Sequence, residues 1–179
     1  MRNYNDGLYD LVKDYLSDKT NLVGIEIGSF GGASAEIFLK SNAFKTLYCI
    51  DPYEKNFDPN DMSTSDRLEN AEIEFDKKFK DNKIISKIKL KSCDALNMFE
   101  DNSIDFIYID GNHQYEFVKY DIENYFKKVK VGGIIAGHDY DVHQTIRHIK
   151  GVKIAVDEFF QRPPLNIYSD RSWVYIKEK

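Results

Sequence analysis

The chain has 179 residues, 42% hydrophobic and 31% charged, with a formal net charge of -5. That length supports one domain with a substantial core, residues 1–179, and the composition excludes a disordered chain. The acidic balance argues against a nucleic-acid partner, and no uncharged apolar stretch approaches the ~18 residues a membrane span requires.

Leu8, Leu11, Val12, Tyr15 and Leu16 recur at helical spacing, which predicts an amphipathic helix over 7–17, with residues 1–18 a candidate cap. A strand over 22–27 runs into a glycine cluster, and a helix over 33–41 follows. A second strand, 46–50, ends at Asp51-Pro52. The proline-, Asn- and Asp-rich stretch 52–65 reads as a long loop near the active site. A charged helix over about 66–81 comes next, then a strand within 84–90 and a short helix at 94–98. The strand 104–109 ends at Asp110-Gly111, and a helix covers 115–128. A strand over 131–136 stands behind a Gly-Gly turn, and a helix over about 153–160 is stopped by Pro163-Pro164. Leu165–Tyr168 and Trp173–Ile176 flank a four-residue turn as a hairpin. Alternating strands and helices imply an α/β fold: a Rossmann-like doubly wound sheet with helices on both faces and an antiparallel C-terminal hairpin.

The strand–glycine turn–helix unit, Gly24-Ile-Glu-Ile-Gly-Ser-Phe-Gly-Gly-Ala-Ser34, is where a nucleoside-type cofactor docks in such folds. Its spacing does not suit a dinucleotide. Phe30 stands where the second fingerprint glycine must let the backbone approach a pyrophosphate, and Glu26 repels phosphates. A carboxylate there suits a ligand with a cationic amine, such as S-adenosylmethionine.

Ligands bind such sheets at the carboxyl ends of the strands. Here those ends carry Glu26 with Gly28, Asp51, Asp94, Asp110, and His138 with Asp139. Asp51, about 20 residues past the glycine turn, stands where a carboxylate reaches ribose hydroxyls; the alternative is a turn-starting Asp-Pro. The Cys93–Ala95 region either flanks an adenine ring or provides Asp94 as a helix cap. Asp110, His113, His138 and Asp139 end two strands expected to be neighbours. Together they offer either a divalent-cation site or a general base, against the plainer reading of helix caps and solvated histidines. His143 and His148 are expected at the surface, as are the lysines between Lys77 and Lys91. Tyr53, Phe57, Tyr115 and Tyr140 are candidates to wall a pocket.

The motifs Glu26–Ser34, Ile50-Asp-Pro52, Ile107–Glu116 and Gly132–Tyr140 resemble those of the class I S-adenosylmethionine-dependent methyltransferases, nearest to a small bacterial subgroup of macrolide and sugar O-methyltransferases. The resemblance covers about residues 20–176 and implies a seven-stranded sheet with an antiparallel last strand. It implies that Glu26, Gly28 and Ser29, beside Phe30, cradle the amino-acid part of the cofactor. It places Asp51 on the ribose and Asp94 with Ala95 on the adenine. Asp110 and Asp139 match the metal-binding acids of catechol-type enzymes. Those enzymes carry Asn after the second acid, where this chain has Tyr140, so a cation such as Mg²⁺ needs a further ligand, His138 or Asp141.

The expected reaction is methyl transfer to a hydroxyl of a sugar or other small metabolite, a small-molecule or glycan acceptor. His138 is the first candidate base and His113 the second, with Asp110 orienting one of them or holding a metal. Two other readings stay open: a metal-dependent hydroxylase-like or nucleotide-sugar enzyme on the same fold, and a non-catalytic cofactor-binding module. The two cysteines, Cys49 and Cys93, lack C-x-x-C spacing and read as buried free thiols. With no signal peptide visible at Met1–Gly7, a cytoplasmic protein is expected. A homo-oligomer is an open option.

Overall fold

The structure, a computed structural model, describes residues 6–54 and 65–179. The elements in chain order are α1 (Asp6–Tyr15), β1 (Leu22–Ile27), α2 (Ala33–Lys40), β2 (Phe44–Ile50), α3 (Ser65–Phe79), β3 (Ile85–Ile88) and α4 (Ser92–Ala95). They continue with β4 (Ile104–Ile109), α5 (Tyr115–Lys128), β5 (Val129–Gly137), α6 (Lys150–Phe160), β6 (Asn166–Ile167) and β7 (Trp173–Ile176). Most of the expected 52–65 loop, Phe57 included, lies outside the described residues.

The seven strands form one sheet in the order β3-β2-β1-β4-β5-β7-β6. β1 pairs parallel with both β2 and β4, which makes the gap between their two following loops the topological switch point. β7 runs antiparallel between β5 and β6, as the hairpin pattern predicts.

Alternation along each strand sorts side chains to two cores. On one face Phe106 and Tyr108 of β4 meet Phe38 of α2, with ring centroids 5.1 and 5.0 Å away in edge-on contact. α1 and α3 complete that core with Leu8, Leu11, Phe75 and Phe79. On the other face Ile25, Ile107 and Ile135 pack beneath α5 and α6. A sheet covered on both faces explains why β1 and β4 read as near-continuous apolar runs.

Two expectations need correction. β5 starts at Val129, so Gly132 and Gly133 lie inside the strand rather than in a turn before it. Gly132 takes φ +81°, and its N–H donates to Lys177 O at 2.7 Å, so the glycines form an irregularity that the C-terminal segment pairs with. Cys49 is buried, but Cys93 on the short α4 is exposed. His143 is exposed as expected; the His148 side chain lies outside the described residues. Among the described residues no helix is long and apolar enough to cross a membrane.

Candidate active site

The parallel ladder continues one residue beyond the strand ends. His138 N donates to Ile109 O (3.1 Å), Asp110 N to Ile27 O (2.8 Å), Gly28 N to Ile50 O (2.8 Å) and Asp51 N to Ile88 O (3.1 Å). Each strand thus fixes the first loop residue of its neighbour, and four of the predicted site residues stand in one row along the rim. A cavity of about 1050 Å³ opens on this row. Gly28, Ser29, Phe30, Asp51, Asp110, His113, His138 and Asp139 all line it, so the structure brings most of the sequence-predicted site together.

The cofactor end is built from buried carboxyls and backbone. Gly28 takes φ +87°, and a Cβ there would land on the Asp110 carbonyl oxygen, so only glycine lets the two loops close. Phe30, also in the left-handed region at φ 44°, is locked by β2's loop. Its N–H donates to Asp51 Oδ2 at 2.9 Å, and its carbonyl accepts from the Tyr53 hydroxyl at 2.8 Å. Tyr53 N donates to the other Asp51 oxygen at 2.9 Å. Asp51 is therefore both a cavity wall and the clamp of the glycine turn. Burial raises its pKa, and the two backbone N–H groups hold it down.

Glu26 does not line the cavity. It is fully buried and stands one hydrogen bond behind the lining, accepting from the Ser34 hydroxyl. Burial pushes its carboxyl up to about 7, against the Ser34 and Ser29 hydroxyls, which favour the charged form. Glu26 Oε2 and Ser29 Oγ have no well-formed hydrogen bond among the described residues. Buried polar atoms without partners are costly. A cationic amine with hydrogen-bond donors, at Ser29, is the kind of group that would complete them. The donor set thus fits S-adenosylmethionine.

Asp94 and Ala95 do not reach the cavity: Asp94 is exposed and Ala95 packs into the core. Lys91, Ser92 and Cys93 line the cavity in their place. Tyr53 walls it as expected, while Tyr115 and Tyr140 turn to α6, donating to Glu158 and Asp157.

The other end is an acid–histidine cluster. His113 Nε2 lies 3.0 Å from Asp139 Oδ2 and 3.7 Å from Asp110 Oδ1. His138 Nδ1 lies 3.2 Å from Asp139 Oδ1 and 3.9 Å from Asp110 Oδ1. Asp139, buried and at φ 61°, also has Arg171 Nη2 at 3.5 Å. Burial opposes charge on the histidines, but hydrogen bonds and charges from Asp110 and Asp139 win, raising His113 to about 10 and His138 to about 9. Burial would likewise raise Asp139, yet the two histidines hold it well below the usual carboxylate range. A base must be neutral to accept a proton, and here the neighbouring carboxylates favour the charged form of both histidines.

Asp110, His113 and Asp139 offer ligand atoms within 4.8 Å of one another. Two carboxylates and an imidazole suit a divalent cation. The third member is His113 rather than either expected ligand, His138 or Asp141. Asp141 turns to its own loop, accepting from His143 N, Thr145 Oγ1 and Ile146 N.

Three further elements complete the wall, and sequence reasoning missed the last two. Leu8 brings in α1, the candidate cap, and Asp170 and Arg171 bring in the hairpin turn. That turn is held against β4 by Ser172, which bonds Asp170 at 3.0 Å and Tyr108 at 2.9 Å. The third is Asp121 on α5, buried among Val118, Ile122 and Tyr125. Its signal was available: an acid at helical spacing on an apolar stripe.

A family model described as a methyltransferase domain matches residues 25–140. An uncharacterized protein, R132, of Acanthamoeba polyphaga mimivirus is 31% identical over 128 residues, covering 69% of this chain and 53% of its own length. The chain thus spans about half the length of that relative. Among solved structures, the O-methyltransferase NovP superposes with a TM-score of 0.66 at 16% identity, over 96% of this chain and 78% of its own. A putative caffeoyl-CoA O-methyltransferase from Staphylococcus aureus gives 0.63 at 17% identity, over 95% and 80%. At those identities the likeness is one of fold.

Proposed function

The chain belongs to the S-adenosylmethionine-dependent methyltransferase family, and from that premise we propose that it methylates a hydroxyl group of a sugar or other small metabolite. The observation that carries the reading is the cluster of Asp110, His113, His138 and Asp139 on the wall of the cofactor cavity. An alcohol is a poor nucleophile until a base takes its proton or a cation polarises it, and two acids beside two histidines can supply either. The O-methyltransferases of like fold are consistent with that choice.

The cofactor, when bound, supplies a methyl group on a cationic sulfur that is open to in-line displacement by an oxygen nucleophile. The protein's part is alignment, which can be worth ~7–11 kcal/mol, and proton transfer. Glu26, Ser29 and Asp51 would hold the cofactor's polar groups. His138 is the candidate base, with His113 second, and Asp110 stands between them. The carboxylates raise the pKa of both histidines, so the one that serves as base must first lose its proton. A divalent cation such as Mg²⁺ would be held by Asp110, Asp139 and His113, the last only after giving up its ring proton, and would lower the pKa of a bound hydroxyl. The acceptor enters where Leu8, Asp170 and Arg171 form the wall, so α1 and the hairpin turn set specificity. We also assign the chain no nucleic-acid partner.

The test is formation of S-adenosylhomocysteine across a panel of sugar, phenol and amine acceptors, with and without exhaustive chelation. Turnover confined to hydroxyl acceptors supports the reading. Turnover on amines alone overturns it, and undiminished turnover after chelation removes the cation.

A further inference from the structure

We propose that Asp121 reads the exocyclic amine of the cofactor's 6-aminopurine, as a buried acid set on the apolar stripe of α5 against the cavity wall. The inference rests on the assignment of S-adenosylmethionine as cofactor.

Asp121 is 4% exposed and lines the cavity, and its Oδ1 has no hydrogen-bond partner among the described residues. Its helical neighbours Val118, Ile122 and Tyr125 are core side chains, so packing alone asks for an apolar residue at this position. A carboxyl buried there without a full set of partners costs free energy that a ligand donor would recover. Burial raises its pKa to about 7, with only the Ser92 hydroxyl opposing it, so above that pH it is a carboxylate and can only accept.

Its position fits the base rather than the amino-acid end. Asp121 belongs to the face of the sheet that carries α4 and α5, and its polar neighbours are Ser92, after β3, and Gly111, after β4. Gly111 stands beside the carboxyl: a Cβ built on it would lie 3.9 Å from Asp121 Oδ2, in van der Waals contact. Ser92, Gly111 and Asp121 therefore share one part of the lining, whereas Ser29 and Ser34 belong to the glycine turn and α2 on the opposite face. A carboxylate oxygen accepts from a 6-amino group. Facing a 6-oxo group it meets a second acceptor instead, so the same atom attracts one purine and repels the other.

Calorimetric titration of the full chain at pH 8.5, where Asp121 is ionised, with S-adenosylhomocysteine and with its deaminated analogue, S-inosylhomocysteine, tests this without turnover. The wild type should prefer the adenosyl ligand by roughly 10–100-fold, the range for a hydrogen bond to a charged group. Asp121→Asn, whose amide can donate to the 6-oxo group, should narrow the preference to within about threefold while melting near the wild type. If that variant does not fold, Asp121→Ser serves the same comparison. A wild-type preference below about threefold overturns the inference, as does an unchanged preference in a folded variant. A merely structural Asp121 would move the melting temperature and leave the ratio alone. Failure of the wild type to bind either ligand would sink the cofactor assignment, and this proposal with it.

Discussion

The two ends of the cavity treat the same chemical group in opposite ways. At the cofactor end, Glu26 and Asp121 are buried carboxyls whose hydrogen-bonding neighbours are neutral, and burial lifts both to about 7. At the acid–histidine end, Asp139 is also buried, yet the paired histidines drive it far down and are themselves driven up. Desolvation decides the first region and charge pairing the second. One end is thus kept short of charge until a cationic, hydrogen-bonding ligand arrives, while the other stores charge in advance.

The sharpest way to break this comparison is at His138. His138→Ala should lower kcat by about 10²–10⁴-fold, the usual contribution of a general base, with cofactor affinity nearly unchanged. The wild-type rate should climb with pH toward about 9, since the imidazolium must lose its proton, and the variant should lack that limb. A histidine that only buttresses the rim through Asp139 would instead cost melting temperature and leave the turnover of folded protein close to normal.

At the other end, Asp51→Ala should weaken S-adenosylhomocysteine binding by about 1.5–3 kcal/mol. It should also lower the melting temperature by several degrees, because the Phe30 and Tyr53 N–H groups lose their acceptor. Unaltered affinity in a folded variant would remove Asp51 from the binding site. NAD should not bind measurably, given Phe30 in the glycine turn.

A smaller effect separates the regions by proton count. A Glu26 with a pKa of about 7 is half protonated at neutral pH, so binding a cationic amine nearby should release up to about half a proton. Titrations in buffers of different ionisation heat measure this, and Glu26→Gln should abolish it.

The smallest expected effect is on stability. The folded-state pKa values of His113 and His138 are raised, so their contribution is full below about 6.5 and fades as pH rises through about 9 and 10. Denaturant unfolding at pH 6, 8 and 10 should show a decline. His113→Ala should flatten it.

Much of this was legible in the chain because it depends on local pattern. β1 and β4 were read with their observed bounds, since their apolar runs end abruptly at Gly28 and Asp110. The row Gly28, Asp51, Asp110 and His138 followed from the rule that chemistry sits at strand ends, and each of the four is a first loop residue tied to a neighbouring strand. The start of β5 was misread because glycines signal a turn locally, while the pairing of Gly132 and Gly133 with Lys177 comes from the far end of the chain.

By itself, then, the sequence determined which residue types gather on the rim and that the glycine turn cannot take a pyrophosphate, because alternation and turn chemistry are properties of short segments. Only the tertiary structure decided their charge. Whether His138 favours its neutral or charged form depends on Asp110 and Asp139 lying 3.9 and 3.2 Å away, and whether Asp121 is exposed or buried in the cavity wall depends on the packing of α5 near Ser92 and Gly111. Coulomb and desolvation energies are functions of distance and burial, and neither is encoded in residue order.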